Sequence, residues 1–263
     1  MKKFIVLLVC VAVLLVGDTV LDKSGIESSF DAKKTYEQGI AFYNNKDYDK
    51  AFESFKKACD GGDMYGCRNL AIMYEKGKGV EEDFSKAAQL YKKACDGGYM
   101  RGCFNLGLMY EKGNGVEEDF SKAAQLYKKA CDGGEVRGCV GLGVMYTKGN
   151  GVEKDFSKAT ELLKKACDGG EMHGCTILGI MYADGSGVEK DFSKAAELYK
   201  KACDGGEMHG CGNLGTMYAN GNGVEKDFSK AVELYKKACV GGNMHGCRNL
   251  VVIHTNGNGV EKD

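Results

Sequence analysis

The chain has 263 residues, with 39 glycines, 13 cysteines and no proline, so glycine must supply all of its turns and its cysteines call for a disulfide framework in an oxidising compartment. A formal charge of −1 lacks the basic excess on which nucleic-acid binders depend, and no nucleic-acid partner is expected.

Residues 4–17, FIVLLVCVAVLLVG, follow Met1-Lys2-Lys3 as an apolar run too short to span a membrane comfortably, and they read as a secretory signal peptide over residues 1–17. Cleavage falls after Gly17 or elsewhere before about residue 30. Loss of the segment removes Lys2 and Lys3 and no acid, which takes the formal charge from −1 to −3. Cys10 follows Val9 rather than a small residue, which argues against a lipoprotein, and it is discarded with the leader. A secreted or periplasmic protein without a membrane span is the expectation, and twelve cysteines remain to pair.

Residues 31–263 are a repeat. Cys59, Cys95, Cys131, Cys167, Cys203 and Cys239 recur every 36 residues, and eight positions after each come Cys67, Cys103, Cys139, Cys175, Cys211 and Cys247. Residues 74–99 return at 110–135 with two changes, Lys78 to Asn114 and Tyr99 to Glu135. Leu70, Met73 and Tyr74 recur at helical spacing, as do Phe84, Ala88, Tyr91 and Cys95, so each unit holds two amphipathic helices, A and B. Asp83 and its copies are expected N-caps of helix B, Gly77 ends helix A, and Gly97-Gly98 ends helix B. Small residues at Ala71, Gly107, Gly143, Gly179 and Gly215 let the helices approach. One hairpin cannot cover its own apolar face, so the fold class is an all-α solenoid of about six helix pairs plus a C-terminal helix, stabilised by stacking. The first unit, about residues 33–62, lacks the helix-A cysteine and the Gly-x-Gly-Val loop. The last stops at Glu261-Lys262-Asp263, where another helix B would begin.

Two pairings suit such a hairpin: Cys59–Cys67 and its copies, from the end of B to the start of the next A, or Cys67–Cys95 and its copies within an A/B pair. The second strands Cys59 and Cys247, whereas the first uses all twelve cysteines and is the one expected. Zinc sites favour cysteines two to four residues apart, and histidines on successive units stand about 10 Å from each other, so neither a metal nor any other cofactor is expected.

The motif Leu-Gly-x-Met-Tyr, then Gly-x-Gly-Val, Asp-Phe-Ser-Lys-Ala and Tyr-Lys-Lys-Ala-Cys-Asp-Gly-Gly, resembles the Sel-like repeat, a relative of the tetratricopeptide repeat. With its cysteine pairs it is similar to the Helicobacter cysteine-rich protein family. The resemblance implies an adaptor that holds a peptide or protein in a concave groove lined by helix A. It also implies binding of penicillins with weak β-lactamase activity.

Near-identical copies make their differences informative. Two residues before the helix-A cysteine stand Tyr65, Arg101, Arg137, His173, His209 and His245. The position after it reads Arg68, Phe104, Val140, Thr176, Gly212 and Arg248, and the next reads Asn69, Asn105, Gly141, Ile177, Asn213 and Asn249. Asn and Arg on such a face can hydrogen-bond an extended peptide backbone or hold a carboxylate, although drift at solvated positions would also produce variation. The three histidines could make part of the face pH-sensitive. A monomer binding a peptide, a protein, a β-lactam or a peptidoglycan fragment through this face is the primary expectation.

The enzymatic alternative finds little in the residues. A serine β-lactamase requires Ser-x-x-Lys, Ser-Asp-Asn and Lys-Thr-Gly elements, and the chain offers only Ser54-Phe55-Lys56-Lys57. Ser54 occupies the place of Leu90 and its copies, while Lys57 belongs to the repeated Lys-Lys pair, so no catalytic residue is assigned.

Overall fold

The computed structural model describes residues 23–255, which form thirteen helices and no strand. The expected signal peptide with Cys10, and the C-terminal Glu261-Lys262-Asp263, lie outside the described residues.

The helices fall into two compact units, one ending at Glu82 and the other beginning at Asp83. The first holds α1 (Lys23–Asn44), α2 (Tyr48–Asp60) and α3 (Met64–Lys76). The second holds α4 (Phe84–Asp96), α5 (Met100–Lys112), α6 (Phe120–Asp132), α7 (Val136–Lys148), α8 (Phe156–Asp168), α9 (Met172–Asp184), α10 (Phe192–Asp204), α11 (Met208–Asn220), α12 (Phe228–Val240) and α13 (Met244–Thr255). Odd numbers are A helices and even numbers B helices. In the first hairpin α1 begins at Lys23, ahead of the first repeat unit expected from about residue 33.

Local sequence explains the repeated lengths. Each B helix of the second unit starts behind an aspartate whose carboxylate accepts a backbone N–H three residues on, as Asp119 does from Lys122 at 2.9 Å. The A helices α5, α7, α9 and α11 end at left-handed glycines, with Gly113 at φ 67°. The loop beyond uses a second such glycine to reach the preceding B helix. A Cβ on Gly115 would stand 2.2 Å from the Phe84 carbonyl carbon, so only glycine fits there.

The disulfides join the end of each B helix to the start of the next A helix, as Cys59–Cys67, Cys95–Cys103, Cys131–Cys139, Cys167–Cys175, Cys203–Cys211 and Cys239–Cys247. Their Cα atoms lie 4.4 to 4.7 Å apart. Such close approach depends on the residue before each cysteine being small: a Cβ on Gly138 would stand 2.7 Å from the Ala130 methyl, and the other five corners repeat the arrangement.

Within the second unit the B-helix aromatics Tyr91, Tyr127, Tyr199 and Tyr235, with Leu163 in the same role, are buried to 4% exposure or less. Burial of each contributes about 2 to 3 kcal/mol. The ring of Tyr127 lies against Gly107, where a Cβ would meet it at 2.7 Å, and Tyr235 lies against Gly215 at 2.9 Å. Lys129, Lys165 and Lys237 each donate from Nζ, at 3.2 Å, to the carbonyl of the cysteine that closes the preceding B helix. Those carbonyls stand in the last turn, where Cys95 also accepts the Gly98 N–H at 3.1 Å, and a cation at the helix C-terminus suits its dipole.

Candidate ligand-binding face on the A helices

In the first unit, the singled-out residues lie on α3. Tyr65 is 53% exposed and its ring stands 5.8 Å from that of Tyr36. Arg68 donates from Nη1 to the Asn69 side-chain oxygen at 3.0 Å, and both residues are half-buried.

In the second unit, the N-terminal turns of α5, α7, α9, α11 and α13 carry the rest. Arg101, His173, His209, His245 and Arg248 are exposed, whereas Phe104, Asn105, Arg137, Asn213 and Asn249 are half-buried. The position after the cysteine is less open than its variability suggests: Val140 is 8% exposed, Thr176 is 2% exposed and Gly212 is buried. There the helix turns its side chain toward the neighbouring A helix, so small or apolar residues are tolerated.

Three of the singled-out residues come together. Phe104, Arg137 and His173 line a depression of about 310 Å³ whose apolar walls include Leu108, Tyr127 and Val144 and whose floor is Gly141. The rings of Phe104 and Tyr127 are 5.8 Å apart, and the Arg137 guanidinium lies 4.7 Å from the centre of the Phe104 ring, a cation–π stack. Arg137 Nε donates to Glu135 at 2.7 Å, and Arg101 Nε donates to the other Glu135 oxygen at 3.1 Å. Burial works to raise the Glu135 pKa, but the Arg137 hydrogen bond and the charges of both arginines outweigh it and hold the carboxyl below its usual value. Burial, helped by a hydrogen bond to Glu111, raises the pKa of the Tyr127 hydroxyl.

The remaining residues are spread out. Asn249 lines a second depression of about 390 Å³ with Thr216, Tyr235 and Val252. There the Tyr235 hydroxyl donates to Thr216 at 3.1 Å, and the Asn249 side chain reaches it too. Asn105 and Asn213 line neither depression, and the three histidines stand on α9, α11 and α13. Among the described residues no three His, Cys, Asp or Glu side chains converge as metal ligands. In the first unit, Ser54 and Lys57 share a depression of about 420 Å³, with no hydrogen bond between them.

Reading the sequence alone missed the glutamates that open the A helices. Glu207 accepts from Thr176 at 2.6 Å, from the Gly210 N–H at 2.7 Å and stands 2.8 Å from His209 Nδ1. Glu171 and Glu135 occupy the same place in their repeats. One signal was present: Tyr99 to Glu135 is one of only two differences between adjacent copies.

The Sel1 repeat model matches residues 35–63, 65–99, 101–135, 136–171, 173–207 and 209–243. The chain belongs to the Sel1 repeat family. Its similarity to a crystallised Sel1 repeat protein from Oxalobacter formigenes is 28% in identity, with a TM-score of 0.79, over 87% of this chain and 92% of that one. The protein c5321 of uropathogenic Escherichia coli, described as a protective antigen with an SLR fold, is 31% identical over 88% of this chain and 50% of its own, at a TM-score of 0.79. Among curated relatives, "Putative beta-lactamase HcpC" of Helicobacter pylori is 42% identical over 81 residues, 31% of this chain. The chain spans about a quarter (26%) of that relative's length.

These likenesses establish an all-α, disulfide-stapled Sel1 solenoid fold, consistent with a role in protein interaction. The six disulfides suit an extracytoplasmic protein. No helix among the described residues is long and apolar enough to cross a membrane.

Proposed function

We propose that this Sel1 repeat protein is an exported scaffold, secreted or periplasmic, that binds an extended peptide or a segment of another protein along the exposed turns of its A helices. The observation that carries the reading is the depression at Phe104, Arg137 and Gly141, where apolar walls and fixed polar groups meet on a part of the repeat that varies from copy to copy. The B-helix surface repeats Lys-Lys and Ser-Lys almost unchanged, which suits a solvated scaffold face.

A pulldown from extracytoplasmic extract tests this reading, with oxidised wild type compared against a variant carrying Phe104→Ala, Asn105→Ala and Arg137→Ala. Recovery of a partner by wild type and its loss in the variant is the expected result. Equal recovery by a folded variant contradicts it.

The β-lactamase reading draws on the name of a relative that matches 81 residues, together with Ser54 and Lys57 at one depression. Nitrocefin turnover by the oxidised protein, lost in Ser54→Ala, would favour it over a pure scaffold.

A further inference from the structure

We infer that the depression at Tyr127 is a subsite for one bulky apolar side chain, carried by a protein segment with a lysine or arginine beside that side chain. The inference rests on the A-helix reading above and adds the chemistry of what is recognised.

The apolar half follows from the floor. Where α7 has Gly141, the equivalent positions carry Asn69, Asn105, Asn213 and Asn249, with Ile177 as the other exception. A Cβ on Gly141 would stand 2.9 Å from the Tyr127 ring, so any side chain there would occupy the space above that ring. Glycine leaves it open between Phe104 and Val144. The volume of about 310 Å³ is at the lower end of the range for small-ligand pockets, enough for one large side chain with its flanking backbone. The equivalent place at Tyr235 lacks this character, because Asn249 and Thr216 bring polar groups to the tyrosine hydroxyl.

Charge supplies the cationic half. Arg137 donates from Nε to Glu135 and its guanidinium lies 4.7 Å from the Phe104 ring centre, and Arg101 Nε donates to the same carboxylate, so both cations are paired with Glu135, although Arg137 Nη2 is buried without a hydrogen-bond partner. Glu111 and Glu171 complete the rim. Glu111 accepts from the Tyr127 hydroxyl. Glu171 differs from its two counterparts: Glu135 is held by two arginines and Glu207 by Thr176, Gly210 and His209, whereas Glu171 makes no side-chain cap to α9. Arg101, Arg137, Glu111, Glu135 and Glu171 together bring one net formal negative charge to the surroundings of the cup. A lysine or arginine beside the inserted side chain complements the rim, and an acidic neighbour meets repulsion at Glu171.

The test is panning of a phage-displayed random dodecapeptide library against the oxidised full chain. Fluorescence anisotropy of the leading synthetic peptide then compares wild type, Gly141→Asn, Phe104→Arg and Glu171→Gln. Both Gly141→Asn and Phe104→Arg install residues that the same positions carry in other repeats, and circular dichroism checks each fold. Leu, Met, Phe or Trp next to Lys or Arg is expected in the selected peptides. Gly141→Asn or Phe104→Arg then weakens binding at least about tenfold, and Glu171→Gln about threefold. Selected peptides whose affinity is unchanged in both folded cup variants overturn the inference. If Arg248→Ala with Asn249→Ala weakens those peptides instead, the A-helix reading survives without it. An acidic consensus overturns the charge assignment, and failure to enrich any A-helix-dependent peptide overturns both readings.

Discussion

Two places in the second unit share one frame and differ in lining. At Tyr127 and at Tyr235 the same B-helix tyrosine lies against an A-helix glycine, Gly107 or Gly215, and behind the same disulfide corner. Around Tyr127 stand Phe104, Gly141 and Glu111, and around Tyr235 stand Ala219, Asn249 and Thr216. The frame is copied because each repeat stacks on a neighbour of the same shape, whereas the lining faces no neighbour that demands a particular residue. Substitutions in the frame should therefore cost the same at both places, and substitutions in the lining should not.

The largest expected effect tests the frame. Gly115→Ala and Gly223→Ala each place a Cβ on a left-handed residue, φ 69° in both, within 2.3 Å of a B-helix carbonyl. Each should lose about 3 kcal/mol in urea unfolding, from left-handed strain together with overpacking. A marked difference between the two would break the equivalence.

Removing a staple comes next. Cys95→Ala with Cys103→Ala, or Cys203→Ala with Cys211→Ala, opens a short loop, and each pair should cost about 2.5 kcal/mol by chain entropy. Thermal or urea unfolding of the two double variants checks that the costs agree.

The lining should then separate the two places. Tyr127→Phe deprives the Glu111 carboxylate of its donor and should cost about 1.5 to 2 kcal/mol, the lower part of the range for a hydrogen bond to a charged group. Tyr235→Phe breaks a bond between two neutral hydroxyls and should cost about 1 kcal/mol or less. Equal losses would mean that the Glu111 contact adds nothing.

The smallest effect is acid sensitivity, shared by both places. Asp119 and Asp227 are held below their ordinary pKa by the backbone N–H of Lys122 and Lys230 and by the paired lysine ammonium groups. A carboxyl lowered in the folded state stabilises it above the unfolded pKa of about 3.9, and that contribution disappears as pH falls through the folded value. The melting temperature should thus be level from pH 7 to about 5 and decline below about 4. Asp119→Asn and Asp227→Asn, which keep a capping oxygen, should flatten that decline equally.

Much of the frame could be read from the residues, since a 36-residue period, aspartate caps and glycine stops each act within a few positions of chain. The disulfide partners followed because only one pairing leaves no cysteine at either end. The cup was less legible. Gly141 was visible as an oddity among asparagines, but that its absent side chain opens space over Tyr127 depends on how far apart α5 and α7 lie. Val140 and Thr176 looked like surface variation, yet the close approach of adjacent A helices buries them. One partner of each glutamate, Arg101 for Glu135 and Thr176 for Glu207, lies about one repeat away in sequence, where periodicity indicates neighbours but not which side chains meet.

Hydrogen exchange on the oxidised full chain, with and without a saturating panned peptide, tests most directly whether the A helices bind while the B helices support. Added protection is expected in the N-terminal turns of α5, α7 and α9, with α4, α6 and α8 unchanged. Protection confined to the B helices would contradict it.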